Sequence, residues 1–305
     1  MERAMKTVLV LVSVLSLFIY SSCDNKRVIG QNDETPTSFD SSIDDYEIIE
    51  SEADSDPYDG LPVLQARPDD GTNSWDIYAR TKFILANVKH TAYVHFPGEI
   101  DESRGIYKYD CSGFVGEYVL SMVLPSHYND LFTGAFMQYS TGPDSLRPRA
   151  WGFYDYFDSL YVHNVNSAYW HVFKDIDDLK QGDIIVAKYA EDWRPQYVEA
   201  EKKDASTGHV MIAWYTRESE VDPNHTYVTV VDASGSGHNK DTRNTDDDGV
   251  TDKTGIGKGE MAYVSDGDTV TGYYWSKSTG NLYGIYTGKY DYYKRLQGVI
   301  FARVK

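Results

Sequence analysis

The chain has 305 residues, with 47 Asp and Glu against 29 Lys and Arg, a formal charge of −18. So acidic a composition argues against nucleic acid as a partner, since phosphate binding needs a basic footprint. No HExxH, CxxC or clustered His/Cys pattern calls for zinc, and no cofactor is expected.

At the N-terminus, Arg3 and Lys6 precede an apolar run over 8–20, which is shorter than the ~20 residues a membrane-crossing helix needs. Tyr20-Ser21-Ser22-Cys23 follows. A basic start, an apolar middle and small residues before a cysteine read as a lipoprotein signal, 1–23, with Cys23 lipidated and the protein exported to the cell envelope on a membrane anchor. Ordinary secretion with cleavage nearby is the alternative. Lipidation of Cys23 would leave Cys111 without an intramolecular partner, and a lone thiol in an oxidising compartment is a liability unless it is buried or used. Residues 24–60 carry twelve acids against Lys26 and Arg27 and show no helical or strand period. They read as a flexible acidic tether. The remainder, 61–305, is long enough for one elaborated domain.

Residues 75–89 form an amphipathic helical pattern with Ile77, Phe83, Ile84 and Val88 as its apolar positions. In Asp110-Cys111-Ser112-Gly113-Phe114-Val115, Asp110 suits an N-cap, which places Cys111 in the first turn of a helix. A helix N-terminus favours thiolate there, while Phe114, Val115, Tyr118 and Val119 give a buried face. A buried, inert cysteine on a core helix is the alternative. Tyr109, two residues earlier, is a candidate to help bind an oxyanion with the Cys111 N–H. An insertion at about 124–178 shows no strand pattern and many aromatics, with a helix starting after Pro148. Arg147 and Arg149 within it either clamp a substrate carboxylate or pair with the many local acids.

Leu179-Lys180-Gln181-Gly182-Asp183 is a turn feeding the apolar strand Ile184-Ile185-Val186-Ala187. Gly208-His209-Val210-Met211-Ile212-Ala213-Trp214 reads as a strand opening on a histidine, and 226–233 as a β-branched strand ending in Asp232 and Ala233. Alternation puts Val228, Val230 and Asp232 on one face, where Asp232 could orient a histidine on the neighbouring strand. Nucleophilic cysteine chemistry needs a thiolate, an imidazole and a third group that fixes the imidazole tautomer. Downstream, Asn244, Asp246, Asp248 and Asp252 give oxygen donors spaced as in a calcium loop, but the bidentate glutamate is missing, so a solvated acidic loop competes with a metal site. Gly255-Ile256-Gly257-Lys258-Gly259 is not a phosphate cradle, lacking a strand before it and a helix after it. Strands are expected over 261–264, 272–276 and 297–304.

Asp110-Cys111-Ser112-Gly113-Phe114-Val115, Gly182-Asp183-Ile184-Ile185 and Gly208-His209-Val210-Met211-Ile212 together resemble an NlpC/P60-type cysteine peptidase. The likeness spans about 105–234. It implies an α+β, papain-like fold: a catalytic helix packed on an antiparallel sheet, with insertions. It implies Cys111 as nucleophile, His209 as general base and Asp232 as orienting residue. The family often has histidine where Asp232 stands, so His238 and Asn239 are rivals for the third role; Ser112, Arg147 and His238 join Tyr109 as candidate substrate or oxyanion residues. The implied activity is hydrolysis of amide bonds in peptidoglycan stem peptides through a thioester. A thiol acyltransferase or thioesterase-like enzyme on the same fold, and a non-catalytic wall-binding lipoprotein, are the alternative functions.

Overall fold

A computed structural model describes residues 73–95, 97–139, 147–202, 206–218, 225–244, 254–276 and 280–305. The 1–23 signal, Cys23 and the 24–60 tether lie outside the described residues. The fold is mixed α+β. Helix α1 (Ser74–Asn87) leads into three short strands, β1 (His90–Ala92), β2 (Glu99–Asp101) and β3 (Ile106–Lys108), which form a small sheet in the order β1-β3-β2. Next comes α2, which begins at Cys111–Gly113, is π-wound over Phe114–Leu120 and returns to α geometry at Ser121–Val123. Helices α3 (Pro125–Tyr139) and α4 (Ala150–Val162) follow.

The rest is dominated by one sheet. Its strands are β4 (Trp170–Phe173), β5 (Ile184–Tyr189), β6 (Gly208–Glu218), β7 (His225–Ser234), β8 (Gly255–Asp266), β9 (Thr269–Tyr274), β10 (Leu282–Ile285) and β11 (Lys294–Val304), with helix α5 (Trp193–Glu201) between β5 and β6. The order is β10-β9-β8-β7-β6-β5-β11-β4, and β10 also pairs with β11, so the sheet closes on itself. Closure needs only the N-terminal end of β11, because β4 pairs with its other end, from Phe301 to Val304.

The two faces carry separate cores, as the period-2 pleat requires. One face, with Ile184, Val186, Val210, Ile212, Val231 and Ile300, packs against Phe114, Val115 and Val119 of α2 and Phe153 and Phe157 of α4. The other, with Ile185, Ala187, Met211, Val230, Tyr263, Tyr273 and Phe301, packs against itself inside the closed sheet. Among the described residues no helix is long and apolar enough to cross a membrane.

Several expectations need correction. Phe83, read as apolar face, is 46% exposed, with the Arg80 guanidinium over its ring. The 124–178 insertion contains β4, a short edge strand whose alternation is broken because half-buried Val172 is followed by buried Phe173 instead of an exposed residue. The glycine run at 255–259 lies within β8. Asn244 closes a short 3-10 turn at Thr242–Asn244, while Asp246, Asp248 and Asp252 lie outside the described residues. No group of three or more metal-ligating side chains occurs among the described residues.

Candidate active site

Asp110 is the N-cap of α2: its carboxylate accepts from the Gly113 N–H at 2.9 Å, which fixes Cys111 in the first turn. The same carboxylate takes a charge-assisted bond from Arg147 Nη2 at 2.6 Å, and Arg147 Nη1 donates to Ser112 Oγ at 2.7 Å. Arg147 is therefore buried against Asp110, with Glu117 at 3.7 Å, and works as a clamp on the helix start. Ser112 is likewise engaged inside the protein, between Asp110 and Arg147. Burial works against the charged Asp110, but the hydrogen bonds from His95, Arg147 and the Gly113 N–H outweigh it and hold the carboxyl well below its ordinary range.

The histidine arrives from the sheet. Gly208 sits at φ +144°, and a Cβ there would meet the Ala187 carbonyl oxygen at 2.1 Å, so a glycine is needed for β6 to pair closely with β5 just before His209. Ile212 pairs with Val231 across β6 and β7. Continuing this antiparallel register makes Asp232 a same-face diagonal neighbour of His209. The His209 Nε2 lies 2.5 Å from Asp232 Oδ2, leaving Nδ1 for the thiol. His209 and Cys111 are hydrogen-bond partners, and the contact brings the helix start and the strand start together. Burial alone would push the His209 pKa down. The charge of Cys111 and the bonds to Asp232 and Cys111 reverse that and raise it to about 10, so the imidazolium is the favoured form.

Asp232 is fully buried and is the hub of a larger network. His238 Nε2 lies 3.0 Å from Oδ2 and Arg243 Nη2 donates to Oδ1 at 2.7 Å. All five Arg243 N–H donors are used: by Asp232, by Asp241 twice, by Ser234 Oγ and by the Gly255 carbonyl. Burial opposes ionisation of Asp232, but Arg243 and the two histidines hold its pKa well below the ordinary value. Of the three candidates for the third position, Asp232 is the one bonded to His209. His238 supports Asp232 from behind, with its Nδ1 on the Trp275 carbonyl, and Asn239 pairs with Glu260 instead.

The tyrosine beside the thiol is Tyr93, on the short segment after β1. Its hydroxyl is a hydrogen-bond neighbour of Cys111, and burial, then the charges of Cys111 and Asp110, push its pKa far above 10, so it remains a donor. Tyr109 faces elsewhere: its ring is wedged between Gly98 and Gly113 and its hydroxyl bonds Glu117. Asp183, within the Gly182-Asp183 turn, is also structural, taking two bonds from Arg303 at 2.9 and 2.7 Å; burial pushes its pKa up to about 6 despite that arginine.

Sequence reading missed Tyr93, Asp241 and Arg243. Tyr93 sits in a segment with no period, and the loop over 234–243 that carries Asp241 and Arg243 reads only as a polar loop beside the presumed site, with no role for either residue. The glycine run of β8 was the available signal: a Cβ at Gly257 would meet Arg243 at 2.4 Å, and one at Gly259 would meet His238 at 2.7 Å and Asp241 at 2.8 Å. Glycines in a strand mark close approach of another segment, and here that segment is the network beneath Asp232.

No family model matches this chain, and no curated protein or solved structure matches it either.

Proposed function

We propose that the protein is a cysteine hydrolase of the NlpC/P60, papain-like type that cleaves amide bonds in peptidoglycan stem peptides. The observation that carries this reading is the convergence of Cys111, His209 and Asp232 from a helix N-terminus and two adjacent strands, with imidazolium favoured at the middle position. The thiolate of Cys111 attacks the amide carbonyl carbon, forming a C–S bond and an oxyanion that the Tyr93 hydroxyl and the Cys111 N–H stabilise. Collapse breaks the C–N bond, and the leaving amine takes its proton from His209. Water, deprotonated by His209, then attacks the thioester; the acid leaves and Cys111 recovers its starting form. Export on a lipid at Cys23, with 24–60 as tether, would put this chemistry in the cell envelope.

The test is mass spectrometry of muropeptides incubated with the protein and with Cys111→Ala. New cleaved products with the wild type alone support the reading and identify the bond. Equal products from both, or none from either, defeat it.

A further inference from the structure

Asp232 holds more partners than an orienting carboxylate needs. Its Oδ2 meets two imidazoles, His209 Nε2 at 2.5 Å and His238 Nε2 at 3.0 Å, while Oδ1 takes the Arg243 bond. The second imidazole is sealed: the His238 side chain exposes no surface, so its bonds are all internal. Its other nitrogen, Nδ1, lies 3.1 Å from the Trp275 carbonyl oxygen. A carboxylate oxygen and a carbonyl oxygen can only accept. A neutral imidazole donates from one nitrogen alone and would turn a bare lone pair on one of these two oxygens. Both contacts are satisfied at once only when both nitrogens carry protons, so His238 is an imidazolium.

The charges around the ring require the same state. Packed on His238 are Asp232 from β7, Asp241 and Arg243 from its own loop, and the Trp275 ring just after β9. From β8 come Gly259, where a Cβ would meet His238 at 2.7 Å, and Tyr263, which feels the Asp232 charge. Glu260 is turned to Arg217 and Asn239. Asp232 and Asp241 are both buried, and Arg243 is bonded to both. The His209 imidazolium is matched by the Cys111 thiolate. One guanidinium then leaves one buried negative charge over, and an unpaired buried charge is costly. His238 is the cation placed to balance it, with Nε2 on Asp232 and its backbone N–H donating to Asp241 at 2.7 Å.

We infer that His238 is a positioning residue, a second imidazolium on Asp232 that makes His209 give its proton to the leaving amine more readily. The inference rests on Cys111 and His209 being the reacting pair. Sharing Oδ2 holds the two rings within the ~4–6 Å over which a like charge disfavours the charged form. His238 therefore opposes protonation of His209, whereas Asp232 and the thiolate favour it. As the C–N bond breaks, the proton passes from His209 to the amine nitrogen, and His238 keeps both of its own. Without the second cation, Asp232 would hold the His209 proton more tightly and general-acid transfer would slow.

The test follows His209 by NMR titration in the full chain carrying Cys111→Ala, which removes the thiolate and needs no substrate. Adding His238→Gln keeps a neutral amide donor within reach of Asp232 and removes the charge. The His209 midpoint should then rise by about 1–3 pH units. A role in folding alone predicts the opposite sign, because a loosened site exposes His209 and lets it fall toward its ordinary value of about 6.5. A midpoint that falls or does not move overturns the inference. If His238→Gln does not fold, the ring-nitrogen spectrum of the Cys111→Ala protein at neutral pH decides without it. Two histidines pack on Trp275, and the one that survives His209→Gln is His238. Protons on both of its nitrogens support the inference, and a bare nitrogen overturns it. Neither measurement involves turnover, so failure of the hydrolase reading shows separately, as muropeptides left uncleaved.

Discussion

Removing the thiol should change how His209 titrates, by an amount the structure bounds. The imidazole is fully buried, and burial by itself disfavours its charged form. Its pKa nevertheless stands at about 10 against the usual 6.5, and the leading cause on the raising side is the charge of Cys111. At about 1.4 kcal/mol per pKa unit, that gap is about 5 kcal/mol in favour of imidazolium. A neighbouring opposite charge is worth about 1–3 units, so Cys111→Ala should lower the His209 pKa to about 7–9, with the Asp232 bond keeping it above 6.5. Imidazole proton shifts followed by NMR between pH 5 and 11 would measure this, with His209 identified among the eight histidines by its absence in His209→Gln. The sign for stability follows from linkage. A group whose folded pKa exceeds its unfolded value stabilises fully below about pH 6.5, and that contribution is lost as pH rises toward the folded value. Wild type should go on losing this stability up to about pH 10, and Cys111→Ala should finish losing it earlier. A wild-type His209 that titrates near 6.5, or midpoints that agree in the two proteins, would refute the claimed coupling.

Asp232→Asn keeps the shape of the side chain but removes a buried charge that Arg243, His209 and His238 all face. Stability should fall by about 3–5 kcal/mol, read from denaturant midpoints, and kcat should fall by about 10²-fold or more as the imidazole loses its anionic partner. Midpoints unchanged by the substitution would show that the network does not exist as described. Tyr93→Phe removes the hydroxyl beside the thiol; kcat should drop about 10²-fold with KM little changed, and Tyr109→Phe should leave kcat near wild type. The reverse ranking of these two variants would put the oxyanion donor at Tyr109. Gly259→Ala should destabilise by about 1–3 kcal/mol through overpacking, because its Cβ would meet His238 at 2.7 Å and Asp241 at 2.8 Å; a thermal midpoint equal to wild type would disprove that crowding.

The legible parts of this fold are those where one short segment determines its own geometry. The N-cap at Asp110, the strand that opens on Gly208-His209 and the β-branched run ending at Asp232 each follow from local chemistry, and together they hold the candidate Cys–His–Asp set. What escaped depends on contacts between distant segments. The closure of β10 on β11 leaves no mark on β10 itself, which is four residues exposed at both ends. Helix α5 has a single buried residue, Trp193, and so lacks an apolar face to read. Arg243 looks like a loop arginine until β7 and β8 bring Asp232 and the Gly255 carbonyl to it. Arg147 is similar: pairing with local acids was one expectation and substrate clamping the other, and burial against Asp110 shows an internal partner.

Two carboxylates flank the thiol–imidazole pair, and each has its own guanidinium: Asp110 has Arg147 and Asp232 has Arg243. The pairing matters because the chain as a whole carries −18. Two uncompensated carboxylates in a buried site would favour protonation of each other and of the nucleophile. With each neutralised locally, both remain ionised, and their full hydrogen-bonding capacity goes to positioning: Asp110 holds the helix start that carries Cys111, and Asp232 holds the ring that faces it. Buried ion pairs of this kind add little net stability compared with apolar packing. Their placement on both sides of one cysteine is therefore better explained by the geometry they impose on the thiol and the imidazole than by the stability they add.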